Sequence, residues 1–340
     1  MKSSFALASL LFLLGGGAVH AAAPEAVAMD KRIVLLVDEV KAIRNFPVIL
    51  AERLGYLKGD GMDVTIVNIR DEVPHAQMLA DGRVDAVLAY YHHNIVSQSK
   101  GLYSEAIVTL GVTPGAKVLV ANRVRDKYRG VADLKGSRII AGGDGSSKTT
   151  LANYLVLAGG HAIADYQRLG AGGKEKNLAA LRDGSADVVV APTPDGDFYL
   201  AQGAASVFAD LTTVEGTRKN LGALFPSSTV FMNRERVKQR PDIAQHLADA
   251  FVRTLSFINS HSAEEIAALI PVEVSGKDRA AYLAILKQEI PMFANDGRMP
   301  AEGAAKELGV LSAFNPAYKD VKIALTYTNE FVDVALKKHF

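Results

Sequence analysis

Leu79-Ala80-Asp81-Gly82-Arg83-Val84-Asp85-Ala86-Val87 returns later in the chain as Leu181-Arg182-Asp183-Gly184-Ser185-Ala186-Asp187-Val188-Val189, a shift of 102 positions from 79 to 181. Each copy of L-x-D-G-x-x-D-(A/V)-V reads as the end of a helix, a turn on Asp-Gly and the start of an apolar strand. Such a period is far too long for a solenoid unit. It implies two similar lobes, each of β-α-β-α-β type, the second starting at Arg138. In both copies the strand runs into a loop, residues 90–94 in the first and 192–199 in the second. Ligands of open parallel sheets bind beyond the carboxyl ends of the strands, so both loops are expected to face one cleft.

Working outward from the first copy, residues 32–37 are an apolar strand. The loop 38–46 leads to a helix that opens on Pro47, a favoured first-turn residue, and stops at Gly55. After the Gly59-Asp60-Gly61 turn, 62–69 alternates as a strand, 74–80 is a short helix, and 85–90 is a third strand. Further strands are expected at 106–112 and 117–121, the latter near a crossing between lobes.

Outward from the second copy lies the segment 134–160, LKGSRIIAGGDGSSKTTLANYLVLAGG. Its strand, glycine-rich turn and helix place unpaired backbone N–H groups beside the hydroxyls of Ser146, Ser147 and Thr149 and the charge of Lys148, an anion cradle. An N-cap role for Ser146 or Ser147 is the plainer reading of the same residues. The segment is not a nucleotide-binding P-loop, because Ser147 stands where the glycine before the lysine is required, and the strand 188–191 ends on Pro192 rather than on a metal-binding Asp. Residues 228–233 are expected to return as a strand to the first lobe, with helices at 241–260, 281–289 and 329–338.

Lys2, an apolar run over 5–14 and the small-residue site Val19-His20-Ala21 read as a secretory signal peptide, residues 1–21. The 340 residues contain no cysteine, which excludes disulfides, thiolate metal sites, a cysteine nucleophile and a lipoprotein anchor. Lys plus Arg at 38 against Asp plus Glu at 37 leaves the chain near neutrality, and with no dense basic run nucleic acid is not an expected partner. The lobes are expected to comprise residues 30–121 with a returning segment near 228–340, and residues 122–227.

Pro47-x-x-x-Ala51-x-x-x-Gly55-Tyr56 with Gly61-Met62-Asp63-Val64, Leu134-Lys135-Gly136 ahead of a strand and Gly-Ser turn, and Ala180-Leu181-x-x-Gly184-x-x-Asp187 followed by Pro194 form a set that resembles the SsuA/TauA and NMT1/THI5-like family of periplasmic substrate-binding proteins of ABC importers. The resemblance covers nearly the whole chain after the leader. It implies an α/β fold, two similar wound lobes with a ligand cleft between them, of the type II periplasmic binding protein kind. It also implies a periplasmic monomer that delivers a small-molecule ligand to an ABC permease in the inner membrane, without a cofactor. Members often carry a Trp near the cleft, and this chain has none. Phe46, Tyr90, Tyr91 and Tyr199 would then supply aromatic walls.

Tyr90-Tyr91-His92-His93 is expected to stack on a flat solute while an imidazole meets its polar edge, with alternation setting only one Tyr and one His toward the cleft. Adjacent histidines point apart and lack a third ligand, which argues against a metal. Arg44 and Asn45, just ahead of Phe46, are the polar contacts expected from the first lobe, Arg44 gripping a carboxylate or sulfonate with its fork. Pro194 and Asp195 are expected in the second wall, Asp195 and Asp197 serving either a cationic group or the helix cap. Two function classes follow: a binding protein for a sulfonate, carboxylate or pyrimidine, and a two-lobe enzyme related to pyrimidine-precursor synthases that acts on a small heterocycle. Those synthases are cytoplasmic and rely on a cysteine-rich segment, so the exported, cysteine-free chain favours the binder.

Overall fold

Eleven strands in two sheets carry the architecture of the computed structural model, which describes residues 32–59, 61–69, 75–143 and 146–338. The expected leader, residues 1–21, lies outside the described residues. The strands are β1 (Arg32–Asp38), β2 (Lys58–Gly59), β3 (Met62–Ile69), β4 (Ala86–Tyr90), β5 (Ser104–Thr109), β6 (Ala116–Ala121), β7 (Arg138–Ile140), β8 (Gln167–Leu169), β9 (Val188–Pro192), β10 (Ala205–Leu211) and β11 (Ser228–Asn233).

The first sheet runs β2-β3-β1-β4-β11-β5 and the second β10-β6-β9-β7-β8. Each is built around a parallel trio, β3-β1-β4 in one and β8-β7-β9 in the other, followed by an antiparallel strand and one more. The antiparallel strand is contributed by chain crossing from the other half: β6 enters the second sheet directly after β5, and β11 returns to the first after β10. The expected two-lobe plan is observed. Residues 117–121, expected in the first lobe, are instead hydrogen bonded between β9 and β10 in the second sheet. The reason is the exchange itself: the chain crosses at Gly115 ahead of β6, whose two edges are then paired by β9 and β10 while both faces are buried in the second lobe.

The repeat has a single structural use. Asp85 Oδ2 accepts the Val34 N–H at 2.9 Å and Asp187 Oδ2 accepts the Arg138 N–H at 3.1 Å, while Asp85 N and Asp187 N donate to the carbonyls of Val34 and Arg138. In each lobe the second Asp of the motif thus ties the central strand to its parallel neighbour. Leu79 and Leu181, at the other end of the motif, are buried in their lobes' cores.

The helix Pro241–Ser260 lays Ile243, Leu247, Phe251, Leu255 and Ile258 against the first sheet, and 228–233 and 241–260 lie where the sequence sets them. The helix Ala301–Phe314 and the strands β8 and β10 were not foreseen. None of the described helices is long and apolar enough to cross a membrane.

Candidate functional site

Beyond the carboxyl ends of β1, β3 and β9 lies a cleft of about 610 Å³ lined by Glu39, Val40, Lys41, Ala42, Arg44 and Asn68 on one side and Lys148, Pro192, Thr193, Pro194 and Asp195 on the other. Both lobes supply the lining; of the two loops that the repeat predicts, 192–199 contributes through Pro192–Asp195, whereas 90–94 is replaced on the first wall by the ends of β1 and β3.

The first wall is a tight loop. Glu39 adopts φ 51, the one positive φ at a non-glycine among the described residues, and the Asn68 Oδ1 accepts the Val40 N–H at 3.0 Å. Arg44 Nη2 donates to Glu39 Oε2 at 3.0 Å and to Asp38 Oδ2 at 3.4 Å, and the guanidinium sits 5.0 Å from the centre of the Tyr90 ring. Burial pushes the Asp38 carboxyl up, against the pull of Arg44. Two carboxylates therefore already balance the Arg44 charge on this wall.

The loop is buttressed from behind. Asn45, expected to touch ligand, is fully buried; its Nδ2 donates to the carbonyl of Asp38 and its Oδ1 accepts from Ser228 Oγ at 3.1 Å. Phe46 is in the core, edge-on to Phe293 with ring centres 5.0 Å apart. Neither lines the cleft, because the short helix after the loop turns them inward under the first sheet. Tyr91 is likewise buried, its hydroxyl 2.5 Å from Thr326 Oγ1. Tyr90, whose ring carries Arg44, is thus the tyrosine set toward the wall.

His93 is half-buried, with its ring 4.3 Å from that of His92 and 5.1 Å from that of His75. Desolvation, followed by His92, His75, Arg44 and Lys100, holds His93 well below the usual imidazole range, and burial also lowers His75. His92 is buried, with Nδ1 3.9 Å from Glu307 Oε1, and burial drives the Glu307 carboxyl far up. His75 was missed; only the fold brings its helix end beside His93. Among the described residues no three His, Asp or Glu side chains converge as a metal ion would need.

The second wall comes from the helix Ser147–Ala158 and the end of β9. Ser146 sits at the N-cap position without a side-chain cap bond, its Oγ 3.4 Å from the Ala141 carbonyl. Thr149 is buried and donates to the Gly143 carbonyl at 2.9 Å, closing the turn rather than facing solute. Ser146, Ser147 and Lys148 are half-buried at the helix start, and Lys148 lines the cleft. Pro194, joined to Thr193 by a cis peptide bond, and Asp195 follow in the same wall. Desolvation raises Asp195, opposed by Lys174 and Lys148. Asp197 is turned away, accepting from Lys117 Nζ at 2.7 Å, and the Tyr199 hydroxyl is buried against Asn177.

The sequence thus placed Arg44, Lys148, Pro194 and Asp195 in one cleft, and structural roles take Asn45, Phe46, Tyr91 and Thr149. Glu39, Lys41 and Asn68 were missed. Asn68 is the penultimate residue of β3, the second parallel strand of the first lobe, and the strand-end rule applied to β3 would have found it.

No curated protein matches the chain. Among solved structures it is similar to a protein from Bordetella bronchiseptica RB50, 28% identical, covering 90% of this chain and 96% of that one with a TM-score of 0.73. It is also similar to the periplasmic aliphatic sulphonate binding protein SsuA from Escherichia coli, 21% identical, covering 88% and 92% with a TM-score of 0.67. The periplasmic nitrate-binding protein NrtA from Synechocystis PCC 6803 is 15% identical, covering 90% and 88% with a TM-score of 0.64. The family model described as NMT1/THI5 like matches residues 43–265, more than half of the 340 residues. With a repeat-built pair of lobes, strand-end loops meeting across one cleft and a match of that extent, the chain belongs to the NMT1/THI5-like family.

Proposed function

We propose that the protein is the periplasmic solute-binding component of an ABC importer, a non-enzymatic monomer that captures a small organic solute and hands it to a permease in the inner membrane. The observation that carries this reading is the cleft of about 610 Å³ whose two walls come from the two lobes at strand ends. Such a volume suits a small organic molecule. The proposed solute bears an anionic group, of the sulfonate or carboxylate class, or a flat aromatic body of the pyrimidine class. The half-buried Ser147 and Lys148 at a helix start favour an anionic edge.

The test is recovery of the solute. The purified protein is analysed by native mass spectrometry and then screened by thermal shift over sulfonates, carboxylates, aromatic acids and pyrimidines. A ligand that binds only the folded form at a hundredfold its Kd stabilises by about 2.7 kcal/mol, which raises the melting temperature by several degrees. The expected result is one chemical class that does so and is returned unchanged. Release of a chemically altered product, or no class that raises the melting temperature, would overturn the proposal.

A further inference from the structure

Glu289 is fully buried at the end of the helix Arg279–Glu289, whose Leu286 belongs to the first lobe's core. Its carboxyl nevertheless reaches the second lobe: Thr193 Oγ1, in the cleft wall, donates to Glu289 Oε1 at 2.6 Å. The other oxygen, Oε2, has no hydrogen-bond partner among the described residues and packs on Gly115. Gly115, at φ 62, carries the chain from the first sheet into β6, and its carbonyl accepts the Thr193 N–H at 3.3 Å. A Cβ at Gly115 would lie 2.7 Å from Met292 Cε and 3.4 Å from Glu289 Oε2, so the crossing strand lies directly on this carboxyl. One side chain therefore touches both the crossover between lobes and the loop that lines the cleft.

The charged groups that face Glu289 are Lys117 of β6, Asp197 of the helix after the cleft loop, and Asp210 of β10. Lys117 Nζ is 2.7 Å from Asp197 Oδ1, and Asp210 Oδ1 accepts from Thr212 N and Oγ1. Among the described residues Lys117 is the cation that acts on Glu289, and it is shared with the Asp197 carboxylate. Desolvation dominates and pushes the Glu289 carboxyl up to about 7, although Thr193 and Lys117 favour its charged form.

We propose that Glu289 is a positioning residue that holds Thr193 and the cleft wall across the seam between lobes, and that its proton decides how firmly the lobes stay together. A neutral carboxyl fits a dry seam with one hydrogen bond. A carboxylate in the same place lacks hydration, and the seam supplies it by parting and admitting water. Acid-side conditions therefore favour the closed arrangement and alkaline-side conditions the open one. Capture of solute above neutrality takes up a proton. The inference rests on the proposed function in that Thr193 lines the proposed solute site.

The absence of cysteine allows spin labels to be placed on Lys58→Cys at the edge of the first sheet and Gln167→Cys at the edge of the second. Pulsed EPR distances are measured without solute from pH 6 to pH 8. The separation is expected to lengthen as pH rises, with its midpoint near neutrality. Glu289→Gln, whose amide oxygen still accepts from Thr193, is expected to keep the pH 6 separation throughout. Thr193→Val removes a bond across the seam, the one that also favours the charged form in place, and is expected to move the midpoint of opening downward; it also serves should Glu289→Gln not fold. A pH-independent separation in the unsubstituted protein, a Glu289→Gln variant that still titrates, or an unmoved midpoint in Thr193→Val would overturn the proposal. Because no solute is present, such a failure leaves the solute-binding reading standing, and a failed solute screen leaves this one.

Discussion

Asp187 shows how a single residue of the repeat sets the frame. Its carboxylate accepts from Arg138 Nε at 2.9 Å and Nη2 at 2.8 Å, from the Arg138 N–H at 3.1 Å and from Arg123 Nη2 at 2.9 Å. Burial alone would raise it, but these donors together hold it at about 2. A carboxylate lowered from its ordinary value contributes stability that is present above pH 4 and lost as pH falls toward 2. We predict that Asp187→Ala lowers the unfolding free energy by about 3 kcal/mol in urea, the scale for removing one partner of a buried pair, and flattens the stability profile between pH 4 and 2. An unchanged profile would show that the tie between β7 and β9 is dispensable. Arg44 makes a different prediction. Its fork is shared among Glu39, Asp38 and the Tyr90 face, and a lysine ammonium lacks the planar, two-pronged group that meets all three at once. Arg44→Lys should weaken binding of the recovered solute roughly tenfold, about 1.4 kcal/mol, with little change in melting temperature. Calorimetry that finds equal affinities would remove Arg44 from the site.

Elements were legible where burial is uniform on a face. The strands β3 and β11 and the helix Pro241–Ser260 stand at the bounds read from sequence, since each is continuous or periodic in apolar residues. The strand β8 is Gln-Arg-Leu at a sheet edge and β10 carries a register shift between Val207 and Ala209, so neither offers a clean pattern. The helix Ala301–Phe314 contains Gly303, whose Cβ would meet the Leu224 carbonyl at 2.3 Å; this glycine marks close packing that looks like a breaker in the sequence. Site residues at strand ends and helix starts could be read, Asn68 among them had the rule been applied to β3, whereas the approach of His75 to His93 comes only through the fold. The helix start at Ser147 bears the third prediction. If solute meets the unpaired N–H groups there, Ser147→Ala should cost about 1 kcal/mol of binding for a neutral bond and up to about 3 for a charged partner, and Lys148→Ala a further loss for an anionic solute alone. Since Ser146 does not cap through its side chain, Ser146→Ala should leave the melting temperature nearly unchanged. Unaltered affinity in Ser147→Ala and Lys148→Ala together would remove the helix start from the site and leave the second wall to residues 192–195.

At the scale of the whole molecule, the two sheets exchange strands through only a few crossings, at Gly115 ahead of β6 and at Ser227 ahead of β11. One buried core gathers under β1 and β4 and another around β6 and β9, and Tyr90 of β4 and Val310 of the helix Ala301–Phe314 pack into the second, so a rotation about the crossings has to slide these contacts while it leaves the sheets whole. The cleft between them is lined from both sides, and neither wall alone encloses a small molecule. A solute that touches both walls binds the closed arrangement better than the open one, and that difference in affinity is what shifts the population. We predict that saturating the protein with the recovered solute lowers the radius of gyration measured by small-angle scattering. Arg44→Lys, which weakens one wall, should need more solute to reach the same compact state without changing its final size. A profile that stays constant at saturating solute would mean that the walls are already in their bound positions, and that the crossings at Gly115 and Ser227 act as rigid joints rather than as a hinge.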